Sequence, residues 1–257
     1  MEIIIICLTA LAGSALTFFS GFGLGTVLLP VFGLFFPIET AVTMTAIVHF
    51  ANNLFKLGLT WRDADREVVI KFGLLSFAGA IAGAILLTAV SQMGSLFQYW
   101  LGNEMFVVTP AGLIIGILLI FFALFDIMPG TRRIAIQPKY LPYGGVLSGF
   151  FGGLSGHQGA LRTTFLIRAG LSKESFIATG VMIACIVDIS RLTVYFPMMK
   201  ESFTGSEGGL LTAAVFSAFA GALAGNKLLK KITIRSLEKF IAVLLIVFGV
   251  LLAAGIV

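Results

Sequence analysis

One run of this chain gathers residue types suited to holding an anion: Gly156-His157-Gln158-Gly159-Ala160-Leu161-Arg162-Thr163-Thr164. Where a helix restarts after a break, its first backbone N–H groups lack intrahelical partners and its dipole favours negative charge. Gly156 and Gly159 let a ligand approach the backbone, and His157 and Gln158 add side-chain donors. Arg162, about one helical turn further on, brings its charge to the same place. Together these residues read as a site for a small oxyanion. The plainer reading is that Arg162 pairs with a neighbouring helix and only stabilises packing.

A second glycine break, Gly21-Phe22-Gly23-Leu24-Gly25-Thr26 followed by Pro30, has no charged side chain. It offers backbone N–H groups around Gly23 and Gly25 and the Thr26 hydroxyl, or merely a packing surface. His49 and Asn53 are four apart and share a helix face, with Thr45 and Asn52 nearby. Interhelical hydrogen bonding, worth about 0.6 kcal/mol per bond, accounts for each singly, while as a group they suit a polar path. Asp188 and Arg191, three apart, are read first as neutralising one another and otherwise as a coupling or gating pair. Cys7 and Cys185 have neither metal spacing nor a disulfide framework. No metal and no cofactor is expected.

The elements that must position these residues follow from composition. Of 257 residues, 58% are hydrophobic and 11% charged, with a mean hydropathy of +1.06. Soluble domains carry roughly 25% charge, so a soluble enzyme, a nucleic-acid-binding module and a disordered linker are excluded. An all-α integral membrane protein remains, its partners the lipid bilayer and a small anion. A crossing takes roughly 20 apolar residues, which marks spans at 40–59, 72–91, 106–126, 174–197, 208–226 and 236–257. The apolar N-terminus lacks the basic region of a secretory signal and is expected to be retained. Segments 2–36 and 141–170 are too long for one crossing and too short for two. Each is broken near its middle by the glycine runs above, as in a re-entrant hairpin or a kinked full span.

The chain also repeats itself. Phe77-Ala78-Gly79-Ala80-Ile81-Ala82-Gly83 returns as Phe219-Ala220-Gly221-Ala222-Leu223-Ala224-Gly225, with glycines four apart that allow close helix approach. Two repeats follow, 1–130 and 131–257, each a broken segment plus three spans. If both broken segments return to their starting side, fourteen basic residues fall on the inner face and only Lys200 outside, with Arg162 and Arg191 in the membrane. Full crossings give eight against seven, so the excess of Lys and Arg in cytoplasmic loops selects the first arrangement. Arg168 and Lys173 then anchor the inner interface, and both termini are expected outside. The basic loops flank the Ala-Gly helix on opposite sides in the two halves, which makes the repeats inverted. Inverted repeats with paired broken helices are an architecture of secondary transporters.

The paired motifs, Gly21-Phe22-Gly23-Leu24-Gly25 with Pro30 and Gly152-Gly153-Leu154-Ser155-Gly156-His157-Gln158-Gly159, resemble those of the sulfite exporter TauE/SafE family over nearly the whole chain. The second departs from the family pattern, with His157, Gln158 and Thr164 where many members carry a longer glycine run and a proline. The resemblance implies a permease of the bacterial-type inner membrane that exports a small sulfur-containing anion, sulfite foremost, and no enzymatic activity. Another organic or organosulfonate anion, an anion channel and, last, an intramembrane enzyme are the alternatives. A proton as coupling ion and a homodimer stay open.

Overall fold

The computed structural model describes residues 1–17, 23–128, 136–202, 207–228 and 234–257, without the side chains of 198–202, 226–228 and 234–238. Gly21 and Phe22 of the first break lie outside the described residues. So do the basic residues Arg132, Arg133, Lys230 and Lys231, and the side chains of Lys200, Lys227 and Arg235.

The fold is almost entirely helical. The first broken segment forms α1 (Glu2–Thr17) and α2 (Leu24–Gly33), followed by α3 (Ile38–Thr60). Then come α4 (Arg66–Val68), a π turn over Val69–Gly73 and α5 (Leu74–Ser91), together one helical rod. After α6 (Pro110–Ile127), the second broken segment forms α7 (Leu141–Ser155) and α8 (Gly159–Leu166). The chain closes with α9 (Lys173–Ser202), α10 (Glu207–Leu228) and α11 (Ile234–Ala253). Both predicted breaks are therefore present as interrupted helices, the second ending where Gly156 adopts φ 79°.

Residues 106–108, expected to open a span, instead belong to a two-stranded antiparallel hairpin, β1 (Phe97–Leu101) and β2 (Glu104–Val108). Gly102, with φ 65°, supplies the turn conformation. The span begins at Pro110, whose missing N–H costs nothing at a helix start. The Thr109 hydroxyl caps it by accepting the Gly112 N–H at 3.1 Å.

Among the described residues, four helical stretches are long and apolar enough to cross a membrane: Arg66–Ser91, Pro110–Ile127, Lys173–Pro197 and Glu207–Gly225. Their outward faces carry Leu74, Ile85, Ile117, Phe121 and Phe216, all more than half exposed. That is the surface of a protein whose solvent is lipid rather than water. α3 is as long but carries Thr43, Thr45, His49, Asn52, Asn53 and Lys56 on its buried side, which lowers its mean hydropathy below that of the other four.

The helices pack in pairs distant in sequence. α7 lies along α5 and α1 along α10, while α6 pairs with α11 and α3 with α9. Along α5–α7, Gly79 and Gly83 meet the backbone of Val146 and Phe150, and Gly149 and Gly153 meet Ser76 and Ala80. Added methyl groups at these glycines would collide with carbonyl oxygens. On α10, Gly221 and Gly225 lie in the same way against Leu11 and Ala15. The duplicated Ala-Gly motif thus serves one purpose twice, close approach to the first half-helix of the opposite broken segment. Among the core residues are Ile6, Leu28, Phe32, Met44, Leu87, Ile115 and Phe248.

Candidate functional site

The two breaks meet inside the molecule. A side chain at Gly25, in the first turn of α2, would lie against Thr45, His49 and the Gly156 carbonyl; one at Gly23, the residue before that helix, would touch His49 Nε2. α2 and α8 therefore begin close together. Gln158 precedes α8 without capping it through its side chain, so the first N–H groups of that helix have no intrahelical or side-chain acceptor.

Behind the breaks, α3 and α9 are joined by a buried polar cluster centred on Asp188. Its Oδ2 accepts the His49 Nδ1–H at 2.7 Å and the Asn53 amide at 3.0 Å. Its Oδ1 accepts Arg191 Nη2 at 2.7 Å and Nε at 3.1 Å. The pairing of Asp188 with Arg191 expected from their spacing is present. The carboxylate has all its strong lone-pair directions filled, whereas Arg191 Nη1 is buried without a hydrogen-bond partner. That nitrogen lies against Gly156, where any side chain would meet it. Glycine is thus required at position 156 twice over, for its left-handed backbone and for the guanidinium beside it.

A cavity of about 40 Å³ lies in front of this cluster, with Gly23, His49, Asn53, Lys56, Arg162 and Gly180 among its walls. Arg162 is buried, and its Nη1 also lacks a partner. An unsatisfied guanidinium nitrogen at this depth is costly unless something negative occupies the space before it. Gln158 is buried with both ends of its amide unpartnered, while its backbone carbonyl accepts the Ser148 hydroxyl at 3.2 Å.

His157 faces elsewhere. With Thr26, Gly159, Phe122 and Asp126 it lines a second cavity of about 10 Å³. Its Nδ1–H donates to the Ser155 carbonyl at 2.9 Å and its ring stacks on Phe122. The buried Nε2, unpartnered, then presents a lone pair rather than a proton. The structure therefore brings Arg162, His49, Asn53 and Gly23 to one cavity, and sets His157, Gly159 and Thr26 on another. Asn52 turns away from both. The amide orientation that satisfies its neighbours puts its oxygen 3.2 Å from Lys56 Nζ and its NH₂ near Ser14 Oγ and the Ala218 carbonyl.

Lys56, one of the fourteen basic residues that the sequence assigns to the inner face, is buried and lines the cavity with Arg162. The signal was present in its spacing: His49, Asn53 and Lys56 recur at intervals of four and three along α3, one helix face. Tyr195, whose hydroxyl donates to the Gly153 carbonyl and ties α9 to α7, had no such signal. Among the described residues no three His, Cys, Asp or Glu side chains converge as for a metal ion, and both cysteines are free.

Apolar helices of spanning length with outward-facing aliphatic and aromatic side chains define a multi-pass membrane protein, and Arg162 and Lys56 lie in a buried cleft within it. Residues 5–252 match the profile of the family described as Sulfite exporter TauE/SafE. The chain belongs to that family, which is one of transporters. A search of curated proteins finds no match to the chain.

Proposed function

We propose that the protein is a secondary carrier of the inner membrane that exports a small sulfur oxyanion, with sulfite the first candidate. The observation that carries this reading is Arg162, a buried guanidinium with a free N–H, facing a cavity beside the starts of α2 and α8. Arg162 supplies charge and Gly23 leaves room for the anion against the backbone, while the nearby α8 N-terminus and Gln158 offer donors; Gly25 and Gly156 lie where the two breaks meet, and Gly159 borders the neighbouring cavity. Thr26 and His157 border the neighbouring cavity and serve the second break as its polar lining. An interior-negative potential favours outward movement by roughly 2.3 kcal/mol per charge per 100 mV.

In this reading 1–130 and 131–257 are inverted repeats, each a broken hairpin and three spans, with both termini outside. The crossed packing of α1 on α10 and α7 on α5 supports it, as do the matched pairs α3–α9 and α6–α11. Rocking of one half against the other would open the cleft to each side in turn. His49, Asn53 and Lys56 form the polar wall along α3, and Asp188 with Arg191 braces it.

Efflux of sulfite from proteoliposomes tests the proposal. Saturable flux with trans-stimulation, lowered at least about tenfold by Arg162→Ala, is the expected outcome. Flux of that variant at the wild-type rate would sink the site assignment, and a unit conductance would replace the carrier by a channel.

A further inference from the structure

Resting on that reading of the cavity, we infer that His49 is a proton-binding site coupled to the anion, so that a proton accompanies each anion through the protein. The geometry fixes the tautomer. Asp188 Oδ2, 2.7 Å from Nδ1, accepts the Nδ1–H, which leaves the lone pair on Nε2. Asp188 is itself held by two nitrogens of Arg191 and by the Asn53 amide. It cannot rotate away, and it stabilises the imidazolium that forms when Nε2 takes a proton. Nε2 points to Gly23 at the start of α2, on the wall of the cavity that holds Arg162. A side chain at Gly23 would close that approach.

The charges around His49 make proton and anion interdependent. From α9 it faces Asp188 and Arg191, from its own helix Lys56, from α8 Arg162, and from the second break His157. α2, packed on the same side, contributes no titratable group. An imidazolium adds positive charge to a cavity that already holds the Arg162 guanidinium. The anion offsets that charge, so each ligand favours the binding of the other by the same factor. With a singly protonated oxyanion, the O–H bond breaks, its electron pair stays on oxygen and the proton joins Nε2. With the fully ionised form, the proton comes from water. Release on the far side reverses the step. A doubly charged anion carried with one proton moves one net charge, which halves its response to the membrane potential.

Isothermal titration of the purified full-length protein with sulfite, at mildly alkaline pH in buffers of different ionisation enthalpy, counts the protons taken up with the anion. The wild type is expected to take up about one proton per anion bound. His49→Gln is expected to take up none, whatever affinity remains. Binding without proton uptake in the wild type overturns the proposal and leaves the anion site standing. Undiminished uptake in His49→Gln also overturns it, since the proton then rides on the anion. No binding of sulfite, thiosulfate or sulfate overturns both readings. Should His49→Gln misfold, Gly23→Ala, whose methyl would press on His49 Nε2, is expected to lower the uptake, and undiminished uptake in that variant overturns the proposal.

Discussion

Among the described residues, the first break brings backbone to the Arg162 cavity: Gly23 and Gly25 open α2, and the polar group beside them, His49, is borrowed from α3. At the second break the chain brings its own side chains, Gln158 and Arg162, and meets a guanidinium from α9 at Gly156. One sequence duplicated and then diverged around a shared packing seam would give this pattern, with one copy keeping the space and the other gaining the charge. On the proposed reading of the site, the two halves divide the labour of holding an anion. Substitutions at the second break should act through electrostatics, and those at the first through sterics.

The largest effect tests the electrostatic side. Asp188→Asn leaves Arg191 buried with its charge uncompensated, since Asp188 is the carboxylate that accepts two of its nitrogens. Breaking such a pair costs about 3–5 kcal/mol, expected as a large drop in the unfolding midpoint in detergent. The double variant Asp188→Leu with Arg191→Leu removes both charges and should recover most of that loss. If the single variant is as stable as the wild type, the second break does not depend on this ion pair.

Arg162→Ala should act on ligand rather than on fold. Its Nη1 has no protein partner to lose, so the midpoint without anion should hardly move. Losing a charge-assisted hydrogen bond of about 1.5–3 kcal/mol weakens sulfite binding roughly ten- to a hundredfold. A fall in stability with unchanged affinity would recast Arg162 as a packing residue.

These two predictions mark what the sequence could and could not convey. The interrupted helices and the burial of Arg162 were legible, because glycine runs break the apolar segments and charge is so costly in lipid that it is kept inside. The i, i+3 pairing of Asp188 with Arg191 was legible for the same local reason. What joins His49 to Asp188 spans 139 positions and exists only through the packing of α3 on α9, which no local period encodes. The separation of His157 from Arg162 was hidden too. It depends on how Gly156 turns the chain, and a left-handed glycine leaves no trace in a chain with 30 of them. The end of the hairpin was missed because Phe106–Val108 run without interruption into the apolar helix that follows, though Gly102-Asn103 carried a turn signal.

Glycine substitutions compare the breaks directly. Gly156→Ala combines a left-handed backbone, costing roughly 1–2 kcal/mol, with contact at 2.8 Å against Arg191 Nη1. Both stability and sulfite affinity should fall. Gly23→Ala meets only the tip of His49, at 3.0 Å, on an extended backbone with φ −79°. It should leave the midpoint within about 0.5 kcal/mol, and lower the protons taken up per anion by displacing Nε2 from the cavity wall. Equal loss of stability from both substitutions would erase the distinction between the breaks.

Gly25→Ala gives the smallest expected effect and the finest test. The new methyl would lie 3.4 Å from Thr45 Cγ2 and 3.7 Å from the His49 ring, ordinary van der Waals contacts. Gly25 already has helical backbone in the first turn of α2, where alanine reduces the entropy lost on folding and stabilises by about 0.4–1 kcal/mol. A small rise in the unfolding midpoint is therefore expected, with proton uptake unchanged. If sulfite binding persists in this variant, the anion approaches the first break at Gly23 and not along α2. If binding is lost while stability rises, the anion lies directly over Gly25, between α2 and the Gly156 carbonyl, and the first break holds its ligand more closely than the second.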